Sequence, residues 1–153
     1  MEIQLLVIII IMIACSAFFS ASETALTGAN RIRLKSMAEN GSKGAKMALK
    51  LLDRYDKVIT TILIGNNIVN ITASSLGTIL ATAIVGPDNA ALVSTVVLTL
   101  VILTFGEVMP KSLAKDHSEG MTVATSGIIT FLTFIFTPLS ALFILLKKLA
   151  NKL

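Results

Sequence analysis

The sequence predicts an all-α integral membrane protein. The prediction is three transmembrane helices, amphipathic juxtamembrane helices, and a C-terminal re-entrant or interfacial helical hairpin. Three observations carry it. The 153 residues are 54% hydrophobic and 14% charged, against about 25% charged in an ordinary soluble domain. The charge-free residues fall in four blocks, 3–22, 58–87, 89–106 and 121–146, and about 20 apolar residues cross a bilayer core. The thirteen lysines and arginines are placed unevenly between those blocks. The blocks are too long, and alternate too little, for the strands of a membrane barrel.

The elements follow in order. The first span is expected over about 3–28. Its lone Cys15 allows no intrachain disulfide, and "MIAC" lacks the preceding positive charge of a cleaved signal. Residues 31–57 hold Arg31, Arg33, Lys35, Lys43, Lys46, Lys50, Arg54 and Lys57, which marks a cytoplasmic segment. Within it Ile32, Leu34 and Met37, then the turn "ENGSKG", then Met47, Leu51 and Leu52 predict two short amphipathic helices. Their apolar sides are expected at the anionic inner leaflet. The basic charge is thereby explained by topology, and no nucleic-acid partner is expected. Spans two and three are expected over 58–85 and 89–112, joined by the uncharged-basic turn "VGPDNA". The N-terminus and that turn face outward, while Lys111 and Lys115 face the cytoplasm. A fourth span over 121–146 would send Lys147, Lys148 and Lys152 outside. Pro138 breaks that block midway, so a hairpin that enters and returns keeps them inside.

Polar side chains inside apolar blocks need partners and often mark pathways. Ser16 and Ser20 are four residues apart on one helix face, and Asn66 and Asn70 likewise. Asn67 is turned away by about 100°. At 1.5 Å per residue, Ser20 and the asparagines lie roughly 13–20 Å from the basic ends, whereas Glu107 is about 6 Å from Lys111. Taken singly, the serines suit helix packing, the asparagines suit helix–helix hydrogen bonds, and Glu107 suits an i,i+4 pair with Lys111. Together on three helices they predict a polar cavity. All its donors are oxygens, which suits magnesium, calcium or sodium rather than zinc or copper. His117, in "AKDHSEG", is expected to be solvated. No acid–base pair, activated nucleophile or phosphate loop predicts an enzyme.

"SAFFSASETAL", "IGNNIVN" and "FGEVMPKSLA" resemble, in this order and spacing, the signature runs of the cyclin M (CNNM)/CorC transmembrane domain, also called DUF21. The resemblance covers essentially residues 1–153. It implies a magnesium transporter, an exporter with sodium as candidate coupling ion. It implies a homodimer with three spans per subunit in the cell membrane, N-terminus outside and C-terminus cytoplasmic. The implied metal ligands are Ser16, Ser20, Asn66, Asn70 and Glu107, with backbone carbonyls near Gly65 or Gly106 as candidates and Ser22 and Glu23 as second choices. Members of that family commonly continue into cytoplasmic nucleotide-binding CBS domains. These are expected to be absent from this chain, which ends at "KKLANKL" as a truncated form would. The competing expectation is a membrane scaffold or regulatory subunit that senses the ion without moving it.

Overall fold

A computed structural model describes residues 1–151, so Lys152 lies outside the described residues. Every element among them is helical: α1 (Glu2–Gly28), α2 (Arg31–Glu39), α3 (Lys43–Leu52), α4 (Tyr55–Val85), α5 (Pro87–Val101), a π-helical segment (Ile102–Val108), α6 (Met109–Asp116), α7 (Ser118–Ile135) and α8 (Thr137–Ala150). Four stretches are long and apolar enough to cross a membrane: Glu2–Gly28, Tyr55–Val85, Pro87–Asp116 and Ser118–Ile135. The protein is therefore a multi-pass membrane protein. The expected hairpin region is two helices, α7 and α8, meeting at Phe136, with Pro138 in the first turn of α8. The first of them qualifies as a span by length and composition.

The breaks between helices follow from local chemistry. Asn30 caps α2 by accepting from the N–H groups of Ile32 (2.9 Å) and Arg33 (3.2 Å), and Ser42 caps α3 by accepting from Ala45 N–H (3.2 Å). Gly41 turns between them at φ +94°, and Gly86 turns into Pro87 at φ +83°, backbone conformations that a side chain would oppose. The third long helix has no such break. Its chain runs through "KSLAK" to Asp116, four residues beyond the expected 112, and "PKSLAKD" contains no glycine to turn the chain before His117.

The chain divides into two compact units. The first holds residues 1–21 and 65–113. Its close approaches use glycine: a β-carbon on Gly65 would stand 2.4 Å from the Phe19 ring, and one on Gly77 would stand 2.1 Å from Leu98 Cδ1. Ala73, Ala81 and Ala90 are buried beside them, small residues that let membrane helices approach.

The second unit holds residues 22–64 and 114–153. Here α3 packs on α2 and on α7. Ala45, Ala48 and Leu51 are its buried face, and a β-carbon on Gly44 would stand 2.7 Å from Val123 Cγ1. The apolar side of this amphipathic segment is thus taken up by protein rather than left for the leaflet. Leu34 and Ala38 are the buried face of α2, whereas Ile32, expected on the same side, is 80% exposed. Leu34 and Ala38 are four apart and stack on one face, while Ile32 is two positions from Leu34 and so points away. Arg31 pairs with Asp53, and Glu119 accepts from Asn30 N–H at 3.3 Å with Arg33 3.7 Å away. Thr61 Oγ1 and Ser140 Oγ, both fully buried, lie 3.1 Å apart, which docks α8 against the start of α4. His117 is exposed.

Candidate metal site in the first unit

Ser16, Ser20, Asn66, Asn70 and Glu107 all lie in the first unit. Ser16 and Ser20 are fully buried, while Asn66, Asn70 and Glu107 are half-buried. The serines and asparagines are held by uninterrupted helices, so the four-residue spacing in the sequence becomes a shared face on α1 and on α4. Asn67 is exposed, as its turn away from Asn66 requires.

Three oxygens from three chain segments meet. Ser16 Oγ donates to Asn66 Oδ1 at 3.0 Å and lies 3.5 Å from the Gly106 carbonyl oxygen, its alternative acceptor. The approach depends on Gly106, since a β-carbon there would stand 3.0 Å from Ser16 Oγ. Residue 110 is proline, which has no N–H to return to the carbonyl four residues earlier.

The π-helical segment carries this carbonyl and Glu107. Met109 N–H bonds to Thr104 O, five residues back, in place of the α-helical partner. Such insertions in a helix concentrate at functional sites. The i,i+4 pair of Glu107 with Lys111 expected from the spacing is not formed: among the described residues no ion pair or hydrogen bond reaches the Glu107 carboxylate. Isolated carboxylates are costly in an apolar helix and mark ion pathways.

Two further oxygens are buried without partners among the described residues, Ser20 Oγ and Asn70 Oδ1. They sit one turn from Ser16 and Asn66 respectively. No hydrogen bond joins them to the Ser16–Asn66 pair. Buried orphan oxygens are rare in folded proteins, and a cation is one way to satisfy them. Of the second choices, both in the second unit, Ser22 Oγ is also a buried orphan, and Glu23 is half-buried, with its backbone carbonyl accepting from Thr27 Oγ1 at 2.8 Å.

The donors that meet here are oxygens, the chemistry that suits a hard cation rather than zinc or copper. Among the described residues no group of three or more His, Cys, Asp or Glu side chains could hold a metal. The sequence pattern missed the π-helical segment and the joining of Ser16 to Asn66 through Gly106. Its one signal was Pro110, four residues after a glycine.

Comparison with known proteins gives the same family as the motifs. Residues 7–153 match the cyclin M transmembrane N-terminal domain. A UPF0053 protein of Haemophilus influenzae is 44% identical over 135 residues, 88% of this chain and 32% of that protein. The UPF0053 inner membrane protein YfjD of Escherichia coli is 44% identical over 124 residues, 81% of this chain and 29% of that protein. The polyamine export protein of H. influenzae is 26% identical over 143 residues, 86% of this chain and 33% of that protein. The chain thus spans about a third of the length of these relatives. By its matched length and its identity to these proteins, the chain belongs to the cyclin M transmembrane-domain family.

Proposed function

We propose that this chain is the membrane domain of a magnesium transporter, exporting the ion with sodium as the candidate coupling ion. One observation carries the reading: Ser16 Oγ, Asn66 Oδ1 and the Gly106 carbonyl meet, and Glu107 is the next residue along the same π-helical segment. Ser20 and Asn70 supply orphan oxygens one turn away. A site with one carboxylate and otherwise neutral donors binds a divalent ion weakly enough to release it, as transport requires. Alternating access across a fixed site supplies the movement. The working form is a homodimer in the cell membrane, with CBS domains as cytoplasmic partners in longer relatives.

A three-span topology, N-terminus outside and C-terminus cytoplasmic, goes with this reading. The lysine-bearing α3 lies along α7: Gly44 abuts Val123, and Met47 Cε reaches to 4.0 Å from the β-carbon position of Gly127. If α7 crossed the bilayer, it would carry Lys43, Lys46 and Lys50 with it, at about 2.5–3.5 kcal/mol for each charge at mid-bilayer. Ser140, five residues past the end of α7, bonds to Thr61, only about 9 Å along α4 from Tyr55. An 18-residue α7 that crossed would end about 27 Å away. An interfacial α7–α8 hairpin satisfies both contacts.

The relative named as a polyamine exporter favours a second cargo, an organic polycation. Such a chain of ammonium groups calls for several spaced carboxylates. The first unit has Glu2, Asp88 and Glu107, two of them at helix ends, which favours the single compact ion. Flux in proteoliposomes decides. Magnesium efflux that is blocked by removing sodium and unaffected by excess spermidine is expected. Spermidine flux without magnesium flux would replace the cargo, and saturable magnesium binding with no flux would indicate an ion-sensing scaffold.

A further inference from the structure

Beyond the ion site, the same face of α4 stays polar toward its Val85 end. Asn70, Ser74 and Thr78 follow at four-residue steps, about 6 Å apart along the helix. On α5, Thr95 and Thr99 are also four apart. The two rows border a cavity of about 90 Å³ lined by Ser74, Thr78, Ser94, Thr95, Leu98 and Thr99. Five of these six carry hydroxyls, three of them on the exposed residues Ser74, Thr95 and Thr99, so the cavity opens to the surface of the chain. Thr78 Oγ1 and Ser94 Oγ are 3.0 Å apart across it, with Ser94 5% exposed. At the inner end of the row is the buried, unpartnered Asn70 Oδ1.

Hydroxyls in membrane helices usually bond back to their own backbone. Thr78 does so to Ser74 O (3.1 Å) and Ser94 to Ala91 O (3.2 Å). That accounts for their protons but not for the space between them. A neighbouring cavity of about 300 Å³, bordered by Ile9, Leu80, Ile84, Val97 and Val101, shows what an apolar gap looks like in the same unit. The hydroxyl cavity differs in kind. A water needs roughly 10–15 Å³ and two to four polar partners, and the space has room and partners for several.

We propose that this hydroxyl-lined cavity is the next stage of the cation's path, receiving a hydrated divalent ion from Asn70 and passing it toward the Gly86 turn. The proposal rests on the transport reading above. No carboxylate lines the cavity, so it replaces part of a water shell without trapping the ion, as conduction demands. Its hydroxyls recognise the ion through its waters.

The test uses the whole chain in proteoliposomes, with the single cysteine removed as Cys15→Ser. Ser74→Cys, Thr95→Cys and Thr99→Cys are compared with Leu92→Cys and Leu100→Cys, apolar positions on α5 that are exposed as the three hydroxyl positions are. A cationic methanethiosulfonate reagent is expected to modify the first three at least about tenfold faster, because a thiol in apolar surroundings stays protonated and inert. Magnesium chloride should slow that modification. The Thr95→Val/Thr99→Val variant should lose most magnesium flux while keeping the magnesium-induced rise in melting temperature. Uniformly slow modification, or full flux in the valine variant, overturns the proposal. If Glu107→Gln abolishes flux while those results hold, only this proposal falls. If the Cys15→Ser chain itself binds magnesium saturably but shows no magnesium flux, the transport reading itself falls.

Discussion

Glu107→Gln is expected to abolish magnesium flux and to weaken magnesium binding at least about tenfold, a loss of about 1.4 kcal/mol. The substitution keeps shape and one acceptor oxygen and removes only the charge. Glu107 has no protein partner among the described residues, so no ion pair is broken, and in magnesium-free detergent the variant should melt at or above the wild-type temperature. That separates a ligand from a structural acid. Had the carboxylate been half of a buried pair, its loss would leave an uncompensated charge and cost several kcal/mol of stability. Flux assays and melting curves, run with and without magnesium chloride, read both quantities. Unchanged flux with lowered stability would make Glu107 a structural residue.

Ser20→Ala and Asn70→Leu are expected to show opposite signs in stability and function. A buried polar atom without a hydrogen bond costs about 1–3 kcal/mol. Ser20 Oγ and Asn70 Oδ1 are such atoms, so their removal should raise the melting temperature when no magnesium is present. The same changes remove two of the proposed ion ligands. A ligand present at 100 times its dissociation constant stabilises a protein by about 2.7 kcal/mol, and that increment should shrink sharply in both variants. Asn66→Leu provides the contrast. It breaks the hydrogen bond from Ser16 and should lose stability as well as ion binding. Destabilisation by Ser20→Ala in magnesium-free buffer would mean that the hydroxyl has a structural partner.

Much of this arrangement is legible in the sequence, for physical reasons that are local. Apolar block length dictates long helices, four-residue spacing puts Ser16 with Ser20 and Asn66 with Asn70, and Asn30, Ser42, Gly41 and Gly86 announce the breaks. What stays hidden depends on register and on packing between distant segments. The depth of Glu107, four residues from Lys111, looks too shallow on an ideal α-helix. The helix continues through "KSLAK" to Asp116, which places Glu107 more than two turns from its end, and the π-helical turn over Ile102–Val108 is encoded by no apolar periodicity. The role of Gly106 arises only because α1 comes close enough for Ser16 to meet its carbonyl. Ile32 reads as part of an apolar face, yet α2 buries Leu34 and Ala38 against its neighbours and leaves Ile32 out. The partner of the amphipathic segment is likewise a packing fact: Gly44 and Ala48 fit α7 because they are small, not because they are amphipathic.

The most direct test is to locate the ion. Manganese serves as an oxygen-seeking stand-in for magnesium and scatters anomalously. In crystals soaked with manganese chloride, an anomalous peak is expected within about 2.0–2.5 Å of Ser16 Oγ, Asn66 Oδ1 and the Gly106 carbonyl, with the Glu107 carboxylate turned toward it and the peak reduced by excess magnesium. A peak elsewhere in the membrane domain, with Ser16 still donating to Asn66 and Glu107 unmoved, would contradict the account.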